Sequence, residues 1–469
     1  MTRYPHSIYA FKLALVLIML FNTFPFRLLA QLKAEGWETS NDKTMLLSKM
    51  NSLEAGNGRA EIININAAKK YQSVDGFGFA LTGGSAQHLI RMSAPQRKKL
   101  LSELFGNGPD QVGISYLRVS IGASDLNEYV FSYDDLKAGE TDAELKRFSL
   151  SQDEKDVVPI LKEILAISPK IKIMGSPWSA PVWMKSNQNV QGGRLMDKYY
   201  STYANYFVKY IQAMKSHGIA IDAVTIQNEP FNDGNTPSMQ FLAKEALRFI
   251  RDHLGPAFKR AGIKTKIVLY DHNCDAPEYP ISILADREAA SYIDGSGFHL
   301  YAGQTSAMGK VHDAFPNKNI YFTEMMAVSK DGGFNTAYPV GRILIGALRN
   351  WSKNVILWNL AADPKYNPHT DNGGCSICQG AVTIDGDKVE RNLAYYVIAH
   401  ASKFIPFGSS RIESTLTTKV SNVAFLTPEG KRVLIVSNNS DEPQTIKVVE
   451  GGQSFSYTIN KSSSTTHIW

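Results

Sequence analysis

The chain reads as an α/β protein, a closed (β/α)8 barrel carrying a side β-sandwich built from strands at both chain ends. Three observations predict this. Between residues 75 and 398, eight short apolar runs alternate with segments of helical period. No glycine-rich phosphate loop opens any of those helices, which argues against an open nucleotide-binding sheet. From residue 399 onward the pattern changes to short strands separated by turn residues.

The elements follow in order. Residues 1–30 read as an export signal. Arg3 and Lys12 flank an apolar run at 13–21, and small Ala30 closes the segment. The run is short for a transmembrane helix. Leu28 is large for the position before a cleavage site, so an uncleaved anchor stays open. No cysteine is available there for a lipid anchor. Residues 31–74 contain one clear strand near 59–66, which precedes the barrel and needs a partner; the C-terminal strands can supply it. The barrel strands are expected at 76–82, 114–120, 171–177, 223–228, 266–271, 297–301, 319–323 and 354–359. Helices are expected at 86–105, 155–167, 199–217, 239–253, 281–294, 307–315 and 339–353. The clearest stripe is Tyr203, Tyr206, Phe207 and Tyr210, spaced i, i+3, i+4, i+7. Residues 399–469 form the antiparallel sandwich domain.

Composition excludes several functions. A net charge of +6 spread over 469 residues, with no dense basic block, is a solvated surface and not a nucleic-acid footprint. Of the three cysteines, Cys375 and Cys378 form a C-x-x-C pair and Cys274 stands alone. No second Cys or His pair completes a zinc set. In an exported chain the pair reads as a loop-stiffening disulfide.

A parallel barrel presents its chemistry at the C-terminal ends of its strands. Those ends carry Thr82, Arg118, Trp178, Asn228, Glu229, Asp271, His299, Tyr301, Glu324, Trp358 and Asn359. Strand-end Arg and Glu often make structural ion pairs, but this collection on one face points to a sugar site. Glu229 and Glu324 follow the fourth and seventh runs. A pair of carboxylates across a barrel mouth is how retaining glycosidases work, one attacking the anomeric carbon and the other protonating the leaving oxygen. The acid must keep its proton; the nucleophile must stay ionised, which Arg118 can assist.

The motifs at 75–82, 117–126, 175–185, 225–230, 298–301, 323–325, 358–360 and 400–408 resemble glycoside hydrolase family 30. They occur in order along the chain from residue 70 to Trp469. The resemblance implies a TIM barrel with a fused sandwich, and a retaining mechanism without metal or other cofactor. It makes Glu229 the acid/base and Glu324 the nucleophile. It further implies that Asn228 bonds the sugar 2-hydroxyl and that Arg118 orients the nucleophile. Asp125 and Trp178 would bind the far side of the sugar, Trp358 would stack beneath it, and His299 and Tyr301 would line the pocket beside Glu324. Leu300 departs from a Trp common in part of the family and is expected in packing. Asp125 and Trp178 favour a glucose-type sugar, and the segment 373–380 resembles a loop of microbial β-1,6-glucanases. The expectation is therefore an exported bacterial enzyme that cleaves β-1,6-glucan. The alternatives are a β-glucosidase or glucosylceramidase acting on small or lipid-linked glucosides, and an inactive glucan-binding barrel. Endo or exo action and oligomeric state are left open.

Overall fold

A computed structural model describes residues 1, 30–51, 53, 59–326 and 335–469. The apolar run at 13–21, read as an export signal, lies outside them. Among the described residues, no helix is long and apolar enough to cross a membrane.

Eight parallel strands close into a ring in chain order: Gly76–Ala80, Tyr116–Ser120, Lys172–Ser176, Ala223–Thr225, Lys266–Cys274, Ile293–Gly303, Asn319–Glu324 and Ser352–Asn359. The last pairs back onto the first, Asn354 opposite Gly76. Every expected run falls on a strand, with edges moved by a few residues. The fourth strand is the shortest, so Gln227, Asn228 and Glu229 lie on the loop beyond it.

Alternation along these strands builds the floor of the mouth. Tyr116, Met174, Ala223, Val268, Tyr321 and Ile356 form one apolar cluster inside the barrel. Side chains repeat on one face every second residue. Two residues farther on, the inward positions are Arg118, Ser176, Thr225, Thr323 and Trp358. Apolar packing thus gives way to a polar layer within one step. The fifth strand breaks the rule. Tyr270 and Asp271 have φ of 70° and 57°, and the pairing with the sixth strand slips between Gly297 and Phe298. The slip turns Asp271 inward in place of Tyr270, as bulges do beside active sites.

Two expected helices are broken. The segment 86–105 is Gly83–Arg91 followed by Ala94–Phe105. Met92 is extended, and Pro95 fits only the first turn of a new helix. The segment 281–294 splits likewise, with the Asp286 side chain accepting from the Ala289 amide to start Arg287–Tyr292.

The sandwich is composite. The long strand Glu61–Ser73 pairs parallel with Gln444–Glu450 and antiparallel with Ser410–Ser414, joining the two sheets. Its Ile63 and Ile65 pack with Ile412, Leu434, Ile446 and Tyr457 in a core separate from that of the barrel. Glu35–Thr39 adds a further N-terminal strand beside Ser463–Ile468.

Helix Leu393–Ser402 is buried along its whole length where barrel and sandwich meet. His400, fully buried there, bonds Thr466 and Thr39 through its two ring nitrogens, each at 2.9 Å. His467 is buried against Phe455 and Tyr457. Burial pushes both imidazoles down to about 3. Below the unfolded value near 6.5 the unfolded chain therefore binds protons that the fold refuses. Stability contributed by the two neutral rings is present above that value and drains away as pH falls toward 3. At pH 5 the loss is about 2 kcal/mol per histidine. Melting temperatures of wild type and His400→Gln, measured from pH 7 to pH 4.5, should converge as the pH drops. A gap that stays constant would show that His400 does not resist protonation.

Candidate active site

Arg118 is the hub of the polar layer. Its side chain is fully buried and donates to Glu324 Oε2 at 2.6 Å, Asp271 Oδ2 at 2.7 Å, Asn228 Oδ1 at 2.7 Å and Ser176 Oγ at 3.1 Å. Its guanidinium also lies 4.8 Å from the Trp178 ring. Only arginine offers enough donors in a fixed plane to serve four acceptors at once.

His299 is the second cation. Nδ1 lies 3.1 Å from Glu229 Oε1 and 3.8 Å from Glu324 Oε1, and Nε2 lies 3.1 Å from Asp271 Oδ1. Burial pushes its pKa down, yet the charge of Glu324 and the bonds to Asp271 and Glu229 lift it to about 9. The ring is therefore protonated at neutral pH, with both nitrogens donating. The expectation that His299 lines the pocket needs revision. It is fully buried beneath the cavity, with both nitrogens engaged by carboxylates.

The three carboxylates that Arg118 and His299 approach differ by their partners. Burial raises Asp271, but the charge of Arg118 and the bonds from His299 and Thr323 hold it well below the usual carboxylate range. Glu324 accepts from Arg118 and, at 3.0 Å, from the Tyr301 hydroxyl. Burial nonetheless pushes it above the ordinary value, with His299 and Arg118 pulling the other way. Glu229 accepts from Asn232 at 2.6 Å. Burial raises it, but His272 and His299 outweigh that and hold it low. The proton between Glu229 and His299 thus rests on the imidazole. Glu229 itself sits at φ 46°, a left-handed conformation held by its amide bonding Asp271 O and its carbonyl accepting from Asn232 N.

A cavity of about 370 Å³ opens over these groups. Asp125, Trp178, Asn228, Glu229, Tyr301, Glu324 and Trp358 all line it. Trp178 and Trp358 stack at 5.4 Å between centroids. The Trp178 indole N–H and Asp125 Oδ1 are buried at the wall without partners in the protein. Burial, with the charges of Glu324 and Glu229, raises Asp125 to about 8. Leu300 is packed away from the cavity. Thr82 and Asn359 bond each other and Ser85, a local brace outside the cavity lining. Cys375 and Cys378 are joined as a disulfide, and both line the rim. A larger cleft of about 500 Å³ lies beside Phe131 and Trp183, but its carboxylates Asp135 and Glu140 are engaged by Ser132 and Arg147.

Sequence reasoning missed Asn232, His272 and Phe231 and left Asp271 without a role. The signal for the first was its spacing three residues after Glu229. For His272 and Asp271 it was the polar triplet Asp271, His272 and Asn273 ending an apolar run, and for Phe231 there was none. Among the described residues, Glu229, His272 and His299 bring ligand-type atoms within 4.8 Å of one another, a set that could hold a metal ion. His299, however, has both nitrogens committed to carboxylates.

Comparison with known proteins agrees with the architecture. The glycosyl hydrolase family 30 TIM-barrel domain matches residues 74–405, and the family's beta sandwich domain matches 408–467. The chain is 34% identical over 421 residues to endo-1,6-beta-D-glucanase BGN16.3 of Trichoderma harzianum, covering 85% of this chain and 84% of that protein. It is 29% identical over 446 residues to the lysosomal acid glucosylceramidase of Mus musculus, covering 88% and 84%. Among solved structures, the endo-beta1,6-glucanase BT3312 superposes with a TM-score of 0.85 at 35% identity, covering 93% of this chain and 99% of that one. With both domains matched in order and the buried carboxylates gathered at the barrel mouth, the chain belongs to glycosyl hydrolase family 30.

Proposed function

We propose that this glycoside hydrolase cleaves β-1,6-linked glucan by double displacement, with Glu324 as nucleophile and Glu229 as acid/base. The observation that carries the reading is that one ring nitrogen, His299 Nδ1, lies 3.1 Å from Glu229 and 3.8 Å from Glu324. Two carboxylates gathered around one imidazole nitrogen are compatible with the close spacing of retaining enzymes, roughly 5 Å. Arg118 and Tyr301 hold the Glu324 carboxylate for attack on the anomeric carbon. Glu229, drawing its proton from the pair it forms with His299, protonates the departing oxygen. In the second step it takes a proton from water, which releases the sugar with its original configuration. Asp125 and the Trp178 indole N–H offer unpartnered polar atoms for the sugar's hydroxyls. Trp358 supplies an apolar face, and the Asn228 amide, anchored by Arg118, faces the 2-hydroxyl. The linkage is supported by relatives named endo-1,6-beta-D-glucanases at 34% identity and above. A second reading, action on lipid-linked glucosides, draws on the likeness to the mouse glucosylceramidase. Export is supported by the apolar run at 13–21 and the Cys375–Cys378 disulfide.

Glu324→Gln should abolish turnover of β-1,6-glucan while leaving the melting temperature near that of wild type. Glu229→Gln should lose roughly 10²–10⁴-fold on glucan. The first step on an aryl glucoside with an activated leaving group should lose far less, since that group departs without a proton. Equal losses on both substrates would reverse or remove the assigned roles.

The pH dependence of kcat/KM follows from the free-enzyme groups. Activity should fall at low pH as Glu324, whose pKa burial raises from its ordinary value, takes up a proton. It should fall again as pH rises through about 9, where His299 and Glu229 lose the proton that they share. In His299→Gln the alkaline limb should move; a limb unchanged in that variant would detach it from this pair.

A further inference from the structure

We propose that Phe231 is the stacking platform for the sugar ring on the leaving-group side, and so selects for substrates whose leaving group is itself a pyranose. The inference rests on Glu229 being the proton donor.

Phe231 is 43% exposed and lines the same cavity as the two carboxylates. A single exposed apolar side chain is ordinary on a protein surface. This one is held in a fixed attitude. Its ring meets Tyr279 edge-on at 5.5 Å and an interplanar angle of 86°, and His272 at 5.8 Å. The backbone on either side is pinned. Asn232 N bonds Glu229 O at 2.8 Å, and Phe241 N bonds Pro230 O at 3.0 Å. Proline at 230 fixes the backbone torsion just before it. The ring is thus supported from below and at its edge while much of its surface stays open.

Its place in the cavity assigns its use. Trp178 and Trp358 pack against each other and Cys378 in one cluster and enclose one part of the cavity. Phe231 stands apart from them, two residues beyond Glu229 and against His272, which lies 3.7 Å from the Glu229 carboxylate. A proton donor must reach the oxygen that departs. The leaving sugar hangs from that oxygen, so it lies against the surface next to the donor. That surface is Phe231. A β-glucopyranose carries its hydroxyls around its equator and axial C–H groups on both faces. Such a face matches the open side of an aromatic ring. A lipid or a small aglycone offers no such face. Contact made with a part of the substrate that does not react can be used to hold the bond to be cleaved at the donor.

The test compares two substrates on wild type, Phe231→Ala and Phe231→Trp. One is a β-1,6-linked gluco-oligosaccharide and the other is β-glucosyl fluoride, whose leaving group is a single atom. The alanine variant should lose about ten-fold in kcat/KM on the oligosaccharide, the size of one aromatic stacking contact, and stay close to wild type on the fluoride. The tryptophan variant should recover most of the loss. Equal losses on both substrates would make Phe231 a support for Glu229 only and overturn the proposal, as would an unaffected oligosaccharide rate. Wild-type enzyme that turns over the fluoride yet leaves the oligosaccharide intact would overturn the β-1,6-glucan reading instead.

Discussion

Three carboxylates buried in one place must be neutralised, and the rest of the site is arranged around that requirement. Asp271, Glu229 and Glu324 are all less than a tenth exposed. Unpaired charges at such depth would cost several kcal/mol each. Arg118 and a protonated His299 provide the two compensating charges, and each touches more than one carboxylate. Asp271 is the common partner. It binds Arg118 through one oxygen and His299 through the other, so it fixes both cations relative to each other. The bulge at Tyr270 and Asp271 is the backbone distortion that brings this carboxylate inward. Without that inward turn, Arg118 and His299 would lose the one carboxylate that hydrogen-bonds both of them.

Much of this was legible from residues alone, because two separate periodicities are written into the chain. The strands read as apolar runs since their middles are buried on both faces, and all eight lie on barrel strands. Strand-end polar residues could be picked out because a charge after such a run needs a partner. The gathering of Arg118, Asn228, Glu229 and Glu324 follows from that logic. What was illegible depended on departures from regular geometry. His299 reads as a mouth residue by counting. The shift in pairing at Phe298 and His299 instead sets it below the cavity, opposite Glu324. The helix at 86–105 breaks because Pro95 requires a fresh start, a local rule that the apolar stripe masks. Phe231 gave no periodic signal at all, since it lies on a loop.

The two domains share more than a boundary. Helix Leu393–Ser402 belongs to the barrel in sequence, but its His400 bonds threonines from both the N-terminal and the C-terminal strand of the sandwich. Arg349, at the end of the helix before the eighth barrel strand, bonds Asn422 and Ser414 of the sandwich. These ties cross from side chain to backbone and side chain to side chain with polar atoms satisfied, so the sandwich is a buttress fixed in orientation.

The composite sandwich also imposes an order in time. Glu61–Ser73 emerges early from the ribosome, yet its partners Ser410–Ser414 and Gln444–Glu450 are made last. Until then, Ile63 and Ile65 have no core to enter, and a thirteen-residue strand has both edges open. The barrel is in effect an insertion within the sandwich. The strand Glu61–Ser73 is made well before its partners and is among the last elements to find its place, so the sandwich can close only when synthesis is nearly finished.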